Sequence, residues 1–265
     1  STRKESSAAS DVYKRQVTLI EAMADSGNIQ KAYNKARKCK RYRKDVLIFT
    51  KDKEENLERV RNDILGLTYE PGEYRYFKVY EPKERQIMAL PFYDRVIQHA
   101  INNVLEPIFN KRFIYHSYAC RKDKGMHAAS DTLQRWLYDW DKRHKDQPLY
   151  AIKADIHHYF QSITHEILKA EIRKVIKDKK ALVLIDRIID HNGQMPDGIG
   201  IPVGNLTSQL FANIYLNKLD QYIKHTLGVN EFERYMDDFI ILNPDKEKLR
   251  YWLCLLYTSP SPRDY

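Results

Sequence analysis

The stretch FERYMDDFIIL, residues 232–242, indicates the fold more directly than any other part of the chain. Two adjacent acids, Asp237 and Asp238, lie between two short apolar runs. Apolar runs around a polar dipeptide are typical of two strands joined by a tight turn, because polar turn residues remain in solvent. The stretch therefore predicts a β-hairpin with Asp237 and Asp238 at its tip.

A third acid ends another predicted strand, LYAIKADI at residues 149–156, which delivers Asp155. Adjacent antiparallel strands lie about 4.8 Å apart, so Asp155 and Asp237 could meet at one sheet edge. We expect their carboxylates within roughly 4 to 7 Å of each other, close enough to share metal ions. Taken alone, a strand-end Asp is more often a turn former or a helix cap, and Asp-Asp pairs are common in loops.

Such a pair of acids suits nucleotidyl transfer. That reaction uses two metal ions roughly 3.5 to 4 Å apart, one activating a 3′ hydroxyl and one steadying a triphosphate. Hard cations such as Mg²⁺ take oxygen ligands, which carboxylates supply. The acids therefore form a candidate metal site.

The segments around these acids are predicted to be mostly helical. Apolar residues at helical spacing predict helices near 165–178 and 180–191, and a long helix at 205–227. NGQMPDGIGIPVG, residues 192–204, is a Gly- and Pro-rich loop between them. No internal repeat is visible in the sequence.

The N-terminal half begins with helical spacing from Val17 to about Leu65. Its most basic stretch, KARKCKRYRKD at 35–45, is either a solvated helix face or a surface that contacts phosphates. Farther on, FYDRVIQHAINNVLEPIF at 92–109 predicts an amphipathic helix. We expect this helix to stop near Glu106, because proline disfavours a helical residue before it.

Between these helices, YRYFKVYEPKERQIMAL at 74–90 alternates apolar and charged residues. The Glu81-Pro82 pair interrupts the alternation, which predicts two strands around a turn. Such a hairpin would expose Lys83 and Arg85.

Composition points to an anionic partner. Lys and Arg number 45 against 36 Asp and Glu, so the formal net charge is +9. Nucleic acid is the first candidate for such a basic chain. No apolar run approaches the roughly 18 residues of a membrane span, and the three cysteines lack metal-ligand spacing. We expect a soluble, intracellular protein that does not bind membranes.

Both ends resemble translations of transposon-end adapters used in DNA sequencing libraries: SSAASDVYKRQ at 6–16 and CLLYTSPSPRD at 254–264. Writing DVYKRQ as GAT GTG TAT AAG AGA CAG, the reverse complement shifted by one frame encodes CLLYT. One inverted repeat thus accounts for both ends. The alternative is a natural Ser-rich lead and a Ser/Pro-rich tail. We expect residues 1–16 and 254–265 to be artefactual and to make few contacts with the body.

The segment from about Gly27 to Leu242 resembles the reverse transcriptase family in the order and spacing of its motifs. AIKADIHHYFQSI at 151–163 is similar to motif A, IPVGNLTSQLFANIYLNKLD at 201–220 to motif B, and YMDD at 235–238 to motif C. PKERQIMALPFYDRVIQHAI at 82–101 and SYACRKDKGMHAA at 117–129 resemble the fingers motifs.

The resemblance implies a right-hand polymerase fold of class α+β. It implies N-terminal helices and fingers at 17–140, a palm with an antiparallel sheet at 141–253, and a missing thumb. It also implies two Mg²⁺ ions, with Mn²⁺ as a substitute. The implied partners are an RNA template, a DNA or RNA primer, deoxynucleoside triphosphates and an optional accessory protein, in a bacterial cytoplasm.

The resemblance carries roles to individual residues. The implied metal ligands are Asp155, Asp237, Asp238 and the backbone carbonyl of Ile156. The implied nucleotide-binding residues are Arg121, Arg85, Lys83, Phe160, Tyr159, Gly204, Asn205, Ser208 and Gln209, with Phe160 as the steric gate against ribose. The implied template or primer contacts are Tyr235, Met236, Lys38, Lys40 and Arg41.

Within the family, the form GNLTSQ, with Gln209 after Ser208, resembles diversity-generating retroelement enzymes. Retron and defence enzymes are the runners-up, and group II intron enzymes more often carry Ser-Pro there and Ala where this chain has Met236. A rival from another class is a non-catalytic RNA-binding or splicing-helper protein on the same fold. The intact acids, with Phe160 and Arg121, argue against that rival, because a scaffold needs none of them.

Overall fold

The structure, a computed structural model, describes residues 17–80 and 84–258. Helices and strands alternate irregularly, as expected for an α+β protein. In chain order they are α1 (Leu19–Met23), α2 (Ser26–Ala36), α3 (Lys44–Lys51), α4 (Lys53–Gly66), β1 (Arg75–Val79), β2 (Arg85–Ala89), α5 (Phe92–Asn110), α6 (Met126–Arg143), β3 (Tyr150–Ala154), α7 (Tyr159–Ser162), α8 (His165–Val175), α9 (Lys179–Asp190), α10 (Leu206–Gln221), a π-helical turn (Tyr222–Thr226), β4 (Phe232–Tyr235), β5 (Asp238–Asn243) and α11 (Lys246–Thr258).

The predicted N-terminal helices are confirmed as α1 to α4. Helix α1 has a cap in which the Thr18 hydroxyl oxygen accepts from the Glu21 N–H and the Glu21 carboxylate accepts from the Thr18 N–H. This reciprocal cap satisfies donors that the first helical turn leaves open. The basic stretch at 35–45 is not a continuous helix, since α2 ends at Ala36 and α3 begins at Lys44.

The predicted hairpin at 74–90 is confirmed. Strands β1 and β2 pair antiparallel, with Arg75 opposite Ala89 and Val79 opposite Arg85. The turn residues 81–83, including Lys83, lie outside the described residues.

Helix α5 corrects the expectation that it stops near Glu106. It runs from Phe92 to Asn110 with Pro107 inside it. Leu105 and Phe109, on either side of the proline, are 0 % and 3 % exposed. Burial of an apolar face on both sides of Pro107 outweighs the lost backbone hydrogen bond, because helical stability comes mostly from tertiary packing.

Three antiparallel strands form the second sheet, in the order β3-β5-β4. The hairpin predicted at 232–242 is confirmed: Tyr235 pairs with Asp238, which leaves Met236 and Asp237 as the turn. One face of the sheet packs against α11 and the π-helical turn through a small apolar cluster. Its buried members are Ile114, Ile223, Val229, Phe232, Phe239, Ile241, Leu249 and Trp252.

A larger core joins the N-terminal helices to those beside the sheet. It holds Ile29 and Tyr33 of α2, Ile97 and Ile101 of α5, and Phe211 of α10. Residues from both sides of the predicted boundary at 140/141 therefore share one core. The division into fingers and palm at that position stays a prediction.

The C-terminal tail departs from the expectation of few contacts. Helix α11 continues through residues 254–258, and Leu256 packs against the smaller cluster. The physical reason is that Leu253 and Leu256 keep helical spacing with the buried Leu249 and Trp252, so one face stays apolar. Residues 1–16 and 259–265 lie outside the described part of the chain. No described helix is both long and apolar enough to cross a bilayer.

Candidate active site

Three carboxylates lie at one edge of the three-stranded sheet. Asp155 directly follows β3, Asp237 lies in the turn after β4, and Asp238 begins β5. Strand β5 lies between β3 and β4, and its Phe239 pairs with Ala154. The end of β3 and the tip of the hairpin therefore meet, as the sequence predicts.

The Asp237 carboxyl is partly buried among negative charges. Burial raises the pKa of Asp237 above its ordinary value, and the Asp155 and Asp238 carboxylates raise this pKa further, while its own backbone N–H opposes them. Asp155 acts both as a charge and as a hydrogen-bonding side chain. Carboxylates crowded in this way favour a cation, because a cation removes their repulsion. The separation of 4 to 7 Å stays a prediction.

The donor set fits Mg²⁺ held jointly by protein and substrate. Among residues 17–80 and 84–258, no group of three or more His, Cys, Asp or Glu side chains forms a metal site. Mg²⁺ commonly takes one or two protein carboxylates and completes its shell with water and phosphate oxygens. Asp155 and Asp237 supply that number. Asp238 and the Ile156 carbonyl stay predicted ligands.

The residues after Asp155 divide between core and site. Tyr159 is 3 % exposed, and its hydroxyl donates to the Ala212 carbonyl at 2.6 Å. The Tyr159 ring therefore lies in the core and its hydroxyl already has an acceptor, and the nucleotide contact of Tyr159 stays a prediction. Phe160 is half-buried, with its ring edge-on to Tyr159 at 5.7 Å. Its role as a steric gate stays a prediction.

Gly204 lies where only glycine fits. Its φ is +120°, and a Cβ there would come within 2.6 Å of the Met88 carbonyl oxygen. The Met88 N–H donates to the Val203 carbonyl at 2.9 Å, so β2 is docked on this loop. The motif B loop and the β1–β2 hairpin therefore meet through backbone contacts.

The other motif B residues are unequally accessible. Asn205 is buried and donates to the Tyr74 hydroxyl at 2.7 Å. Ser208 is 2 % exposed, because α10 is packed on that face, and its nucleotide contact stays a prediction. Of this set, Gly204 and Gln209 are exposed.

The guanidinium of Arg121 is largely engaged by the protein, and its contact with a triphosphate stays a prediction. It donates to the Asn110 side-chain oxygen at 2.6 Å and to the Ile114 and Ser117 carbonyls at 2.7 Å each. A further donation reaches the Asn110 carbonyl at 3.4 Å. A guanidinium has five N–H groups, so one remains for a triphosphate. In this structure the hydrogen bonds of Arg121 stabilise the segment after α5.

A basic cleft of about 380 Å³ opens between the α2–α3 connection, the β1–β2 hairpin and the start of α10. Gly204, Asn205 and Gln209 line it. Its basic residues are Lys40, Arg43, Arg75, Arg95 and His99.

The charges in this basic cleft are poorly balanced. Arg95 pairs with Asp45 at 2.7 Å. Burial lowers the pKa of Lys40, and the nearby Arg95 and Arg43 lower it further. Burial, with Lys35, Lys40 and Arg95 nearby, lowers the pKa of His99 to about 4, so His99 is neutral at pH 7. Cations that depress each other's pKa favour an anionic ligand.

The other residues predicted to contact template, primer or nucleotide lie in different parts of the structure. Lys40 lines the basic cleft, whereas Lys38 and Arg41 are exposed outside its lining. Tyr235 is 41 % exposed beside the acids. Met236 packs partly on the larger core. Arg85 begins β2, and its contact with nucleotide stays a prediction.

The model of one protein family, described as reverse transcriptase (RNA-dependent DNA polymerase), matches residues 78–257. The chain belongs to the reverse transcriptase family. Similar curated proteins include YkfC of Escherichia coli K12, 29 % identical over 63 % of this chain and 45 % of YkfC. The group II intron-encoded protein LtrA of Lactococcus lactis subsp. cremoris is 30 % identical over 64 % of this chain and 28 % of LtrA. The chain thus spans less than half the length of these relatives.

Solved structures agree on the fold of this reverse transcriptase chain. A partial Cas6-RT-Cas1–Cas2 complex matches with a TM-score of 0.52 at 18 % identity, covering 92 % of this chain and 43 % of that one. Apo telomerase from Candida tropicalis matches with a TM-score of 0.52 at 15 % identity, covering 71 % and 46 %. The α+β fold of fingers and palm expected from the sequence is confirmed.

Sequence reasoning missed several charged residues of this reverse transcriptase fold. Arg234 and Asp220 are wholly buried as an ion pair, and Glu233 is 6 % exposed without a partner for one oxygen. A signal for Arg234 existed, because it alternates with Phe232 and so faces the same side of the strand as a core residue. Arg43 lies in the basic stretch at 35–45 that the sequence marks as a candidate phosphate contact. Arg75 and Arg95 gave no signal, since their convergence with Arg43 depends on separate elements.

Proposed function

We propose that this chain is the polymerising part of an RNA-directed DNA polymerase from a bacterial or phage retroelement. The observation that carries this proposal is the meeting of Asp155 and Asp237 at one sheet edge, with the pKa of Asp237 raised partly by Asp155. Two bound Mg²⁺ ions, or Mn²⁺ in their place, would activate a primer 3′ hydroxyl and stabilise the triphosphate charge.

Each nearby residue has one task in this proposal. Asp155 and Asp237 would hold the cations, with Asp238 and the Ile156 carbonyl as further ligands. The half-buried Phe160 lies under the sugar of a deoxynucleotide. Phe160 packs partly on the larger core, which limits its motion and suits a steric barrier.

The basic cleft would take the single-stranded RNA template. It joins motif B to the hairpin, and exposed Phe77 on its wall offers a ring for base stacking. Within residues 17–80 and 84–258, Arg43 and Arg75 form no ion pair, so phosphate oxygens would be their partners. Primer, deoxynucleotides and an accessory protein complete the partners of this proposal.

The subtype we propose is a diversity-generating retroelement enzyme, on the strength of Gln209 after Ser208 and of Met236. Group II intron enzymes are the alternative that the similarity to LtrA favours; retron and defence enzymes are further alternatives. Neighbouring DNA tests this choice. A nearby pair of near-identical repeats that differ at adenines is expected, and an intron RNA around the gene would overturn the subtype.

The rival class, a non-catalytic RNA-binding or splicing-helper protein, shares the fold and the basic cleft. It predicts RNA binding without any need for Asp155 and Asp237. The open carboxylate pair favours the polymerase, because crowded acids without a cation only cost stability.

The test is metal-dependent extension of a DNA primer on an RNA template, with Mn²⁺ binding measured by electron paramagnetic resonance on the same chain. Asp155→Asn and Asp237→Asn should each abolish extension and weaken Mn²⁺ binding. Asp146→Asn is the matched control, because Asp146 is exposed before the opposite end of β3. A wild-type chain that binds RNA without extending the primer, and whose Mn²⁺ binding is unchanged in the two variants, would favour the rival.

A further inference from the structure

Arg234 is the most completely bonded charged side chain near the acids. It lies on β4, three residues before Asp237, and has 0 % exposure. Its Nε and Nη2 donate to the two Asp220 carboxylate oxygens at 2.7 Å each. Such a two-pronged pair fixes both the position and the plane of the guanidinium.

One donor of this guanidinium reaches the turn itself. Nη1 of Arg234 donates to the Met236 carbonyl oxygen at 2.7 Å. Met236 has a φ of 59°, which L-residues with long side chains rarely adopt, so the turn needs a contact that selects this conformation. The Met236 carbonyl belongs to the peptide unit that leads into Asp237. A bond to this carbonyl therefore sets the direction in which Asp237 leaves the turn.

Arg234 is itself anchored by elements outside the hairpin. Its Nη2 donates to the Ser117 hydroxyl and its Nη1 to the Asn213 side-chain oxygen, each at 3.2 Å. Its backbone N–H donates to the His116 carbonyl, and its carbonyl accepts from the Tyr118 N–H, both at 2.9 Å. Through Arg234, contacts with α10 and with the segment 116–118 therefore hold the turn in place.

We propose that Arg234 is a positioning residue that, held by Asp220, fixes the Met236–Asp237 turn so that the Asp237 carboxylate lies beside Asp155. It does not contact substrate. The consequence of this positioning for polymerisation rests on the proposed function, but the effect of Arg234 on the turn does not. A merely structural pair would stabilise the fold without any specific influence on the turn.

The test uses Arg234→Lys, because a lysine keeps the charge but cannot reach both Asp220 and the Met236 carbonyl with a fixed fork. Arg187→Lys is the matched control. Arg187 also donates to two backbone carbonyls, Leu67 at 2.8 Å and Tyr69 at 2.6 Å, on a different side of the fold. Hydrogen–deuterium exchange of the peptide covering 232–242, Mn²⁺ affinity and a melting curve are measured on all three chains.

Arg234→Lys should increase amide exchange at 235–239 at least tenfold and weaken Mn²⁺ binding at least fivefold, while exchange in β3 stays unchanged. Arg187→Lys should change neither. A folded Arg234→Lys variant with unchanged exchange at the turn would overturn the proposal.

If Arg234→Lys does not fold, Asp220→Asn is the milder variant, because it keeps the shape and one oxygen acceptor. It should accelerate exchange at the turn in the same direction by a smaller factor, and no acceleration would overturn the proposal. If Asp237→Asn leaves Mn²⁺ binding unchanged, the metal role in the proposed function fails, while the exchange data still decide the role of Arg234.

Discussion

Two sets of arginines in this chain differ in what surrounds them. Arg234 is wholly buried and meets a carboxylate and three further acceptors. Arg43 and Arg75 line the basic cleft and have no ion-pair partner among the described residues. A buried charge must be paired to be tolerated, whereas an unpaired cation in a cleft remains available to a ligand. Burial together with pairing therefore separates charges that maintain the fold from charges that serve binding.

The largest expected effect comes from breaking the buried pair. Arg234→Met should cost about 3 to 5 kcal/mol of the free energy of unfolding, because Asp220 is left charged and buried. Urea denaturation measures this cost. Arg75→Met is the control and should stay within about 0.5 kcal/mol. Adding Asp220→Leu to Arg234→Met should recover much of the loss; equal costs for Arg234→Met and Arg75→Met would break the contrast.

Glu233 shows what happens to a buried acid that lacks a partner, because its Oε2 atom is buried without a hydrogen bond. Burial raises the pKa of Glu233 from 4.5 to about 7. The folded chain therefore keeps a proton that the unfolded chain releases between these values. The free energy of unfolding should fall as pH rises from about 4.5 to 7, by at most about 3 kcal/mol, because solvent screening of the carboxyl reduces the effect.

Urea denaturation at pH 5, 6, 7 and 8 measures the Glu233 effect. Glu233→Gln should remove this part of the pH dependence and stabilise the chain at pH 8. Glu73→Gln, a change at an exposed position, should retain the wild-type slope. An unchanged slope in Glu233→Gln would show that Glu233 is ionised in the folded chain throughout.

Phe160 is half-buried beside the acids, so we expect its substitution to affect both the stability of the fold and the handling of substrate. Phe160→Ala should cost about 1 to 3 kcal/mol, less than the roughly 3 to 5 of a fully buried phenylalanine. It should also admit ribonucleotides more readily, since the ring no longer occupies the space of a 2′ hydroxyl. Incorporation of ribo- against deoxyribonucleotides is measured beside a melting curve.

The control for Phe160 is Phe113→Ala, which removes a ring that is 8 % exposed elsewhere in the core. It should destabilise the chain without changing sugar preference. A folded, active Phe160→Ala chain with wild-type sugar preference would refute the gate.

The smallest effect on stability is expected in the basic cleft. Arg43→Ala with Arg75→Ala should leave the free energy of unfolding within about 1 kcal/mol of wild type. Binding of single-stranded RNA should weaken, and the slope of log affinity against log salt should lessen by about 0.7 for each phosphate that the variant no longer neutralises. Fluorescence anisotropy across a salt series measures both.

Arg59→Ala with Arg61→Ala removes the same charge from exposed positions on α4 and is the control for the basic cleft. If both double variants lose affinity equally, the RNA responds to net charge and not to the cleft. A greater loss in the cleft variant assigns the effect to Arg43 and Arg75.

Local pattern determined much of this protein. Alternation and turn chemistry predict the hairpin around Asp237 and the strand before Asp155, because each depends on a few neighbouring residues. Helical spacing likewise predicts α8, α9 and α10. The nearness of Asp155 and Asp237 follows once the two strands belong to one sheet.

Tertiary structure decided the partners of individual side chains. Pro107 lies inside α5 because core residues on both sides of it outweigh its local preference. Arg121 donates hydrogen bonds to backbone carbonyls such as that of Ile114. Arg234 binds Asp220 on a different element and Ser117, which is distant in the sequence. The sequence by itself determined which elements form and where the acids stand, because periodicity and turn chemistry are local. Which charges are paired and which are left for a ligand was decided only when distant elements packed together.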